Sequence, residues 1–320
     1  MLIAPIVLGK SGLRNRLERQ ESFFGLTRST AKRDLVVVGV PWDATSSYRR
    51  GAVAGPDAIR RATSGRLYNR FTEQGLDLAA LWKVCDHGNV KETSDISKLK
   101  KSLASAISLH DHRDHSTLFL GGDHFISYPC FSLMAQKCKS RFSLLYFDAH
   151  PDLYESYEGS RYSHATTVSR ILEDKNLSSG TVCYVGIRAS TSEQNERIRT
   201  LGLTAHTTKD VYRRGCDAIA SSIRSVLLNQ PVYLSIDLDC LDPAFAPGVG
   251  NPQPGGLSTT QILEILHGIE GLEIVVADIV EYSPRFDSNA RTTAFTSAIL
   301  IKEIMGIIAK SFTSQRVRPA

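Results

Sequence analysis

The 320-residue sequence has no apolar run of the length a membrane span requires, and no Pro/Ser-rich linker, low-complexity tract or internal repeat divides it. With 42% hydrophobic and 22% charged residues, the first absence makes a soluble protein the expectation. The second makes one domain the expectation. Cysteine occurs without pattern: Cys85, Cys130, Cys138, Cys183, Cys216 and Cys240 are scattered, with no CxxC pair and no dense framework. That argues against a disulfide scaffold and fits thiols serving as small core residues in a reducing cytosol. The apolar opening Met1 to Leu8 has no basic stretch before it and no small-residue cleavage pattern after it, so no secretory signal is expected.

Excess charge is also lacking outside one segment. The formal net charge is +5, and residues 10–33 account for it with seven basic residues (Lys10, Arg14, Arg16, Arg19, Arg28, Lys32, Arg33) against Glu18 and Glu21. Residues 1–33 therefore read as a basic arm, solvated or in contact with another subunit, ahead of a single domain at 34–320. The arm carries no recognisable nucleic-acid motif and only Phe23 and Phe24 as aromatics, so neither nucleic acid nor membrane is expected as a partner.

What is present is an alternation of apolar, β-branched runs with amphipathic stretches. Leu35–Val40, Trp82–Val84, Thr117–Leu120, Phe142–Phe147, Val182–Ile187, Pro231–Ile236 and Glu273–Val280 read as strands, and Asp57–Ala62, Lys98–Leu109, Glu193–Thr200, Asp217–Leu228, Thr259–His267 and Ala290–Ala309 as helices. Strand and helix in turn predict an α/β fold with a parallel sheet covered on both faces. Ligands in such folds sit at the carboxyl ends of the strands. The unusual residues fall there: His124 in "GGDH", Asp148, His150 and Asp152 in "FDAHPDLYE", Asp237 and Asp239 in "SIDLDCLDP", and Glu281.

Alternate residues of a strand share a face, which predicts Asp148, His150 and Asp152 side by side, and likewise Asp237 and Asp239. With His124 they make four carboxylates and two imidazoles, and neither motif holds a Lys or Arg to neutralise them. Confined carboxylates at such density protonate, find bases or bind metal. Two divalent cations balance four carboxylates where one would not, and oxygen-rich, thiolate-free ligation suits Mn²⁺ better than structural zinc. Cys240 points away from Asp239 and reads as core. His110, His112 and His115 lack carboxylate company and precede a strand, so they read as an exposed turn.

The motifs Gly121-Gly-Asp-His124, Asp148-Ala-His-Pro-Asp152, Ser235-Ile-Asp-Leu-Asp-Cys-Leu-Asp-Pro243, Gly255-Gly256 and Asp278-Ile-Val-Glu281, in this order, strongly resemble the ureohydrolase family of arginases and agmatinases. The resemblance implies a three-layer αβα sandwich around an eight-stranded, mainly parallel sheet. It also implies two Mn²⁺ per subunit and hydrolysis of a guanidino group to urea and an amine by a hydroxide bridging the metals. By resemblance, His124, Asp148, Asp152 and Asp239 serve one metal, and His150, Asp237 and members of the same carboxylate set the other, with one or two carboxylates bridging. Glu281 resembles the glutamate that binds the guanidinium, and His164 in "YSHATT" the proton shuttle, although Ala165 follows where the family has Gly.

Arginases resemble one another in an Asn two residues beyond the DxHxD motif, where this chain has Tyr154, as many agmatinases do; an acid that arginases carry after the GxR strand is absent until Glu193. Asn251 stands where many relatives have Thr near the guanidinium. The resemblance thus ranks agmatine, cleaved to putrescine and urea in polyamine biosynthesis, ahead of 4-guanidinobutyrate or 3-guanidinopropionate, and these ahead of arginine. Formiminoglutamate hydrolysis and a catalytically silent homologue are the alternatives, but no ligand is lost as a silent homologue would require. A cytoplasmic homo-oligomer, trimer or hexamer, is the implied state.

Overall fold

The computed structural model describes residues 22–26, 34–108 and 115–315; most of the basic arm, together with His110 and His112, lies outside them. Eight strands form one sheet: β1 (Asp34–Gly39), β2 (Lys83–Asn89), β3 (Ser116–Leu120), β4 (Phe142–Phe147), β5 (Leu177–Ile187), β6 (Thr204–Thr207), β7 (Pro231–Asp237) and β8 (Glu273–Val280). Their order is β2-β1-β3-β8-β7-β4-β5-β6, and every pairing is parallel.

The central strands are apolar on both faces, as a covered parallel sheet demands. In β1, Leu35 and Val37 pack to one side with helices Gly55–Ala62, Cys216–Leu227, Thr259–Gly268 and Thr292–Gln315. Val36 and Val38 pack to the other with Ile96–Ile107, Ser127–Cys138, Thr167–Leu172 and Ser192–Thr200. This is the three-layer αβα sandwich the motifs implied. Cys130, Cys183 and Cys240 are buried within it, and no disulfide joins any of the six cysteines.

Several sequence expectations need correction, the first being that the described part of the arm, residues 22–26, is not solvated: Phe23, Phe24 and Leu26 are buried in the core. The segment Thr292–Ser311 is long and apolar enough to cross a membrane by length and composition, with a mean hydropathy of 1.4, so the expected absence of such a stretch does not hold; 83% of it is buried as a core helix. The strand read at Trp82–Val84 runs on to Asn89, because an edge strand beside β1 tolerates the polar stretch Asp86 to Asn89. Four-residue β6 and helix Ser127–Cys138 were not read from the sequence at all.

The four strands that end in unusual residues, β3, β8, β7 and β4, are neighbours in the sheet. The chain leaves β3 for a strand on the far side of β8 and β7, and this break in the winding opens the crevice where such folds bind ligands.

Candidate metal centre

Each candidate ligand leaves its strand in its own way. His124 opens a 3₁₀ turn whose preceding residue, Asp123, caps it by accepting from the Phe125 amide at 3.2 Å. The tight approach of this turn is possible only because Gly122 has no Cβ, which would sit inside the Trp42 backbone. β4 stops at Phe147, so Asp148, His150 and Asp152 are not on a strand as their alternation predicted. They converge because the loop turns, with Asp152 in the left-handed region at φ 49°. Asp237 ends β7, and its carboxylate accepts from the Asp239 amide at 2.7 Å, bending the chain into a 3₁₀ turn that brings Asp239 alongside. Asp242, the last acid of that motif, accepts from the Ala244, Gly255 and Gly256 amides; it shapes a turn and is not a ligand candidate.

Two clusters result, and they share Asp148. One oxygen of Asp148 lies 2.9 Å from His124 Nδ1, which also faces Asp237 at 3.0 Å and Asp152 at 3.7 Å. Its other oxygen lies 3.3 Å from His150 Nδ1, which faces Asp239 at 3.1 Å. The partition by resemblance is thus altered: Asp239 belongs beside His150, and Asp237 beside His124. Each cluster gathers three ligand atoms within 4.8 Å of one another.

The electrostatics fit cations. Burial, reinforced by the Asp148 charge, pushes Asp152 up to about 7. Burial and then the neighbouring carboxylates raise Asp237, and burial raises Asp239. For His150 burial works downward, but Asp239 and Asp148 outweigh it and hold the ring at about 12. Protons thus stand where positive charge is needed, and a cation would replace them. Asp148 Oδ2 is buried with no donor but the His124 ring nitrogen at 2.9 Å, so once that nitrogen gives up its proton only a cation can satisfy the oxygen. The donors present therefore suit hard divalent cations.

Behind the ligands lies a shell of which only Ser235 and Asp278 stood in the sequence motifs. Tyr233, Ser235 and Ser127 donate to the fully buried Asp278 at 2.7, 2.7 and 2.6 Å. Because Ser235 gives its proton to Asp278, its oxygen accepts from His124 Nε2 at 2.8 Å. That fixes the ring with Nδ1 facing the carboxylates. Burial works downward on the ring, but the carboxylates outweigh it and raise the His124 pKa, and a cation bound there would take the place of the Nδ1 proton. Tyr146 stacks on the His124 ring at 4.4 Å and donates to Asp152 at 2.7 Å. Arg188 donates to the carbonyls of Gly186, Asp239, Cys240, Leu241 and Gln253, tying the Asp239 turn to the glycine loop. Replacing Asp278 by Asn should loosen this orientation and weaken divalent-metal affinity about 10–100-fold. Titration of Mn²⁺ against a competing chelator measures it, and unchanged affinity would remove Asp278 from the site.

Glu281 follows β8 at φ 65°, another non-glycine residue in the left-handed region. Its Oε1 accepts from the His124 amide at 2.8 Å and lies 3.6 Å from His164 Nδ1. His164 also contacts Ser47 Oγ through Nε2 at 3.0 Å. The site opens into a cavity of about 240 Å³ whose lining includes Asp148, His150, Asp152, Asp237, Asp239 and Glu281. His164, Tyr154 and Asn251 also line it, with Ser47, Tyr157, Gln194 and Gln253, which sequence reasoning did not single out. Only His124, of the expected site residues, is set back from the cavity. His115 precedes β3, at the opposite end of the strand from His124.

A parallel sheet with two carboxylate–imidazole clusters at one end, facing an open cavity, is the architecture of a metal-dependent hydrolase. Comparison with known proteins narrows this. An arginase-family model matches residues 33–306. "Arginase 1, mitochondrial" of Oryza sativa subsp. indica is 34% identical over 289 residues, spanning 87% of this chain and 83% of that protein. The agmatinase of Blochmanniella floridana is 32% identical over 284 residues, spanning 86% and 88%. A solved structure described as a hypothetical agmatinase from Burkholderia thailandensis matches with a TM-score of 0.81 at 31% identity, covering 92% of each chain. The chain belongs to the arginase family, hydrolases acting on guanidino C–N bonds.

Proposed function

We propose that the protein hydrolyses agmatine to putrescine and urea with two Mn²⁺ ions. His124, Asp148, Asp152 and Asp237 would hold one ion, and His150, Asp148 and Asp239 the other. When bound, such a pair supplies an activated water near neutral pH and neutralises charge developing on the substrate. The chain's own residues do the rest. Glu281 keeps one carboxylate oxygen on the His124 amide, leaving the other to accept from guanidinium N–H groups, whose planar fork matches a carboxylate. His164, within reach of Glu281, can pass a proton to the departing amine.

The observation that carries agmatine over its rivals is the composition of the cavity wall. Beyond the metal ligands and Glu281 it presents the phenols Tyr154 and Tyr157 and the amides Asn251, Gln194 and Gln253, and among the described lining residues there is no Lys or Arg. Arginine and guanidino acids carry a carboxylate that would lie here without a cation, a costly arrangement in a partly desolvated pocket. Agmatine ends in an ammonium, which carbonyl and phenol oxygens can solvate.

Arginine is the second reading, because arginases as well as agmatinases stand near one-third identity. The test is urea release from agmatine, arginine and 4-guanidinobutyrate by Mn²⁺-loaded protein, with a chelated control. Agmatine should exceed arginine in kcat/KM by at least about 100-fold, and the chelator should abolish the activity. Equal or better turnover of arginine would overturn the substrate assignment.

A further inference from the structure

Three residues lining the cavity come from none of the four ligand-bearing strand ends: Ala189 and Gln194 follow β5, and Ser47 follows β1. Ser47 is the one aliphatic hydroxyl among the described lining residues. Its loop grips the His164 segment twice. Thr45 Oγ1 accepts from the His164 amide at 3.1 Å, and Ser47 Oγ lies 3.0 Å from His164 Nε2. Thr45 is itself anchored, its amide and hydroxyl both donating to Asp123 at 2.9 Å. His164 is buried, with Tyr157 edge-on to its ring at 6.3 Å.

We propose that Ser47 is the positioning residue for His164: it fixes which ring nitrogen faces Glu281 and carries the proton between that ring and the cavity. The inference rests on the reading above, in which His164 transfers a proton. With Nδ1 directed to Glu281, Nε2 needs a partner that can serve both forms of the ring. A hydroxyl does so, donating to the neutral imidazole and accepting from the imidazolium by a rotation about one bond. A methyl group does neither, and leaves a buried ring nitrogen without its partner. Since Ser47 also touches the cavity, a proton taken up by its oxygen can be relayed to Nε2 as the hydroxyl proton passes on, with no net change at serine. The charged groups facing His164 are Glu281 after β8, Asp123 after β3 and Asp152 after β4.

The experiment compares wild type, Ser47→Ala and Ser47→Thr as Mn²⁺-loaded proteins in two readouts. In steady-state urea release from agmatine across pH, Ser47→Ala should lose about 10–100-fold in kcat with KM changed less than about 2-fold and its pH profile displaced, while Ser47→Thr stays near wild type. In peptide-resolved modification of His164 by diethyl pyrocarbonate, which attacks the neutral ring, Ser47→Ala should react faster and with a displaced pH midpoint. If kcat, pH profile and modification all match wild type in Ser47→Ala, the proposal is wrong. It is equally wrong if Ser47→Thr is as impaired as Ser47→Ala, since that is a packing effect. Should Ser47→Ala fail to fold, Ser47→Cys, with its weaker donor, takes its place and should fall between the two. Wild-type protein that releases urea from no guanidino compound refutes the functional reading instead, and the modification profile then decides the Ser47 contact by itself.

Discussion

Asp148→Ala is expected to lose both metal ions and, with them, all urea release above background, a fall of at least about 10⁴-fold. Asp148 is the one residue common to the two clusters: one oxygen serves the His124 side and the other the His150 side. Its removal takes a donor from both positions and the single group that ties them together. Asp152 makes a contrast, because it belongs to the His124 cluster alone. Asp152→Ala should therefore lose one ion and keep part of the second. Metal content after gel filtration gives the stoichiometry directly, and circular dichroism shows whether the αβα fold persists. Two ions retained by Asp148→Ala, or equal losses from both variants, would mean that Asp148 does not bridge.

Much of this site could be read from the sequence because two regularities act together. Apolar runs marked the central strands, and ligands in parallel sheets gather at carboxyl ends, so His124, Asp148, Asp237 and Glu281 could be placed on one edge before any coordinates. The local geometry behind their convergence was read wrongly. Strand alternation was assumed through Asp152, whereas β4 ends at Phe147 and a left-handed residue turns the loop. Alternation and a turn give the same neighbours here for different reasons.

The supporting residues were out of reach for another cause. Ser47 and His164 are 117 positions apart, and Ser127, Tyr233, Ser235 and Asp278 meet only because β7 and β8 are adjacent while the chain enters helix Ser127–Cys138 beneath them. No periodicity records such contacts. Asp278 and Ser235 stood in the sequence motifs, and a buried carboxylate in an apolar strand must find donors, but nothing in the sequence says which donors these are. β6 was missed because the stretch from Thr204 to Thr207 is short and polar, as a sheet edge permits.

Glu281→Gln separates binding of metal from binding of substrate. The amide is nearly isosteric and its oxygen can still accept from the His124 backbone N–H at the 2.8 Å position, so the His124 turn and both ions should stay. What disappears is the negative charge, and with it the charge-assisted pairing to a guanidinium, which should lower kcat/KM by about 10²–10³-fold. A second effect follows through His164. Burial alone would lower the pKa of that ring; the Glu281 carboxylate beside it, helped by Asp123 and Asp152, holds it up at about 9. Neutralising Glu281 removes the leading upward influence, so the ring releases its proton at lower pH. The protonated form is the one that can donate to a leaving amine. The alkaline limb of the kcat profile should accordingly move to lower pH in Glu281→Gln, while Mn²⁺ content stays at the wild-type level. An alkaline limb that moves upward, or loss of metal alongside activity, would place Glu281 among the ligands rather than at the substrate.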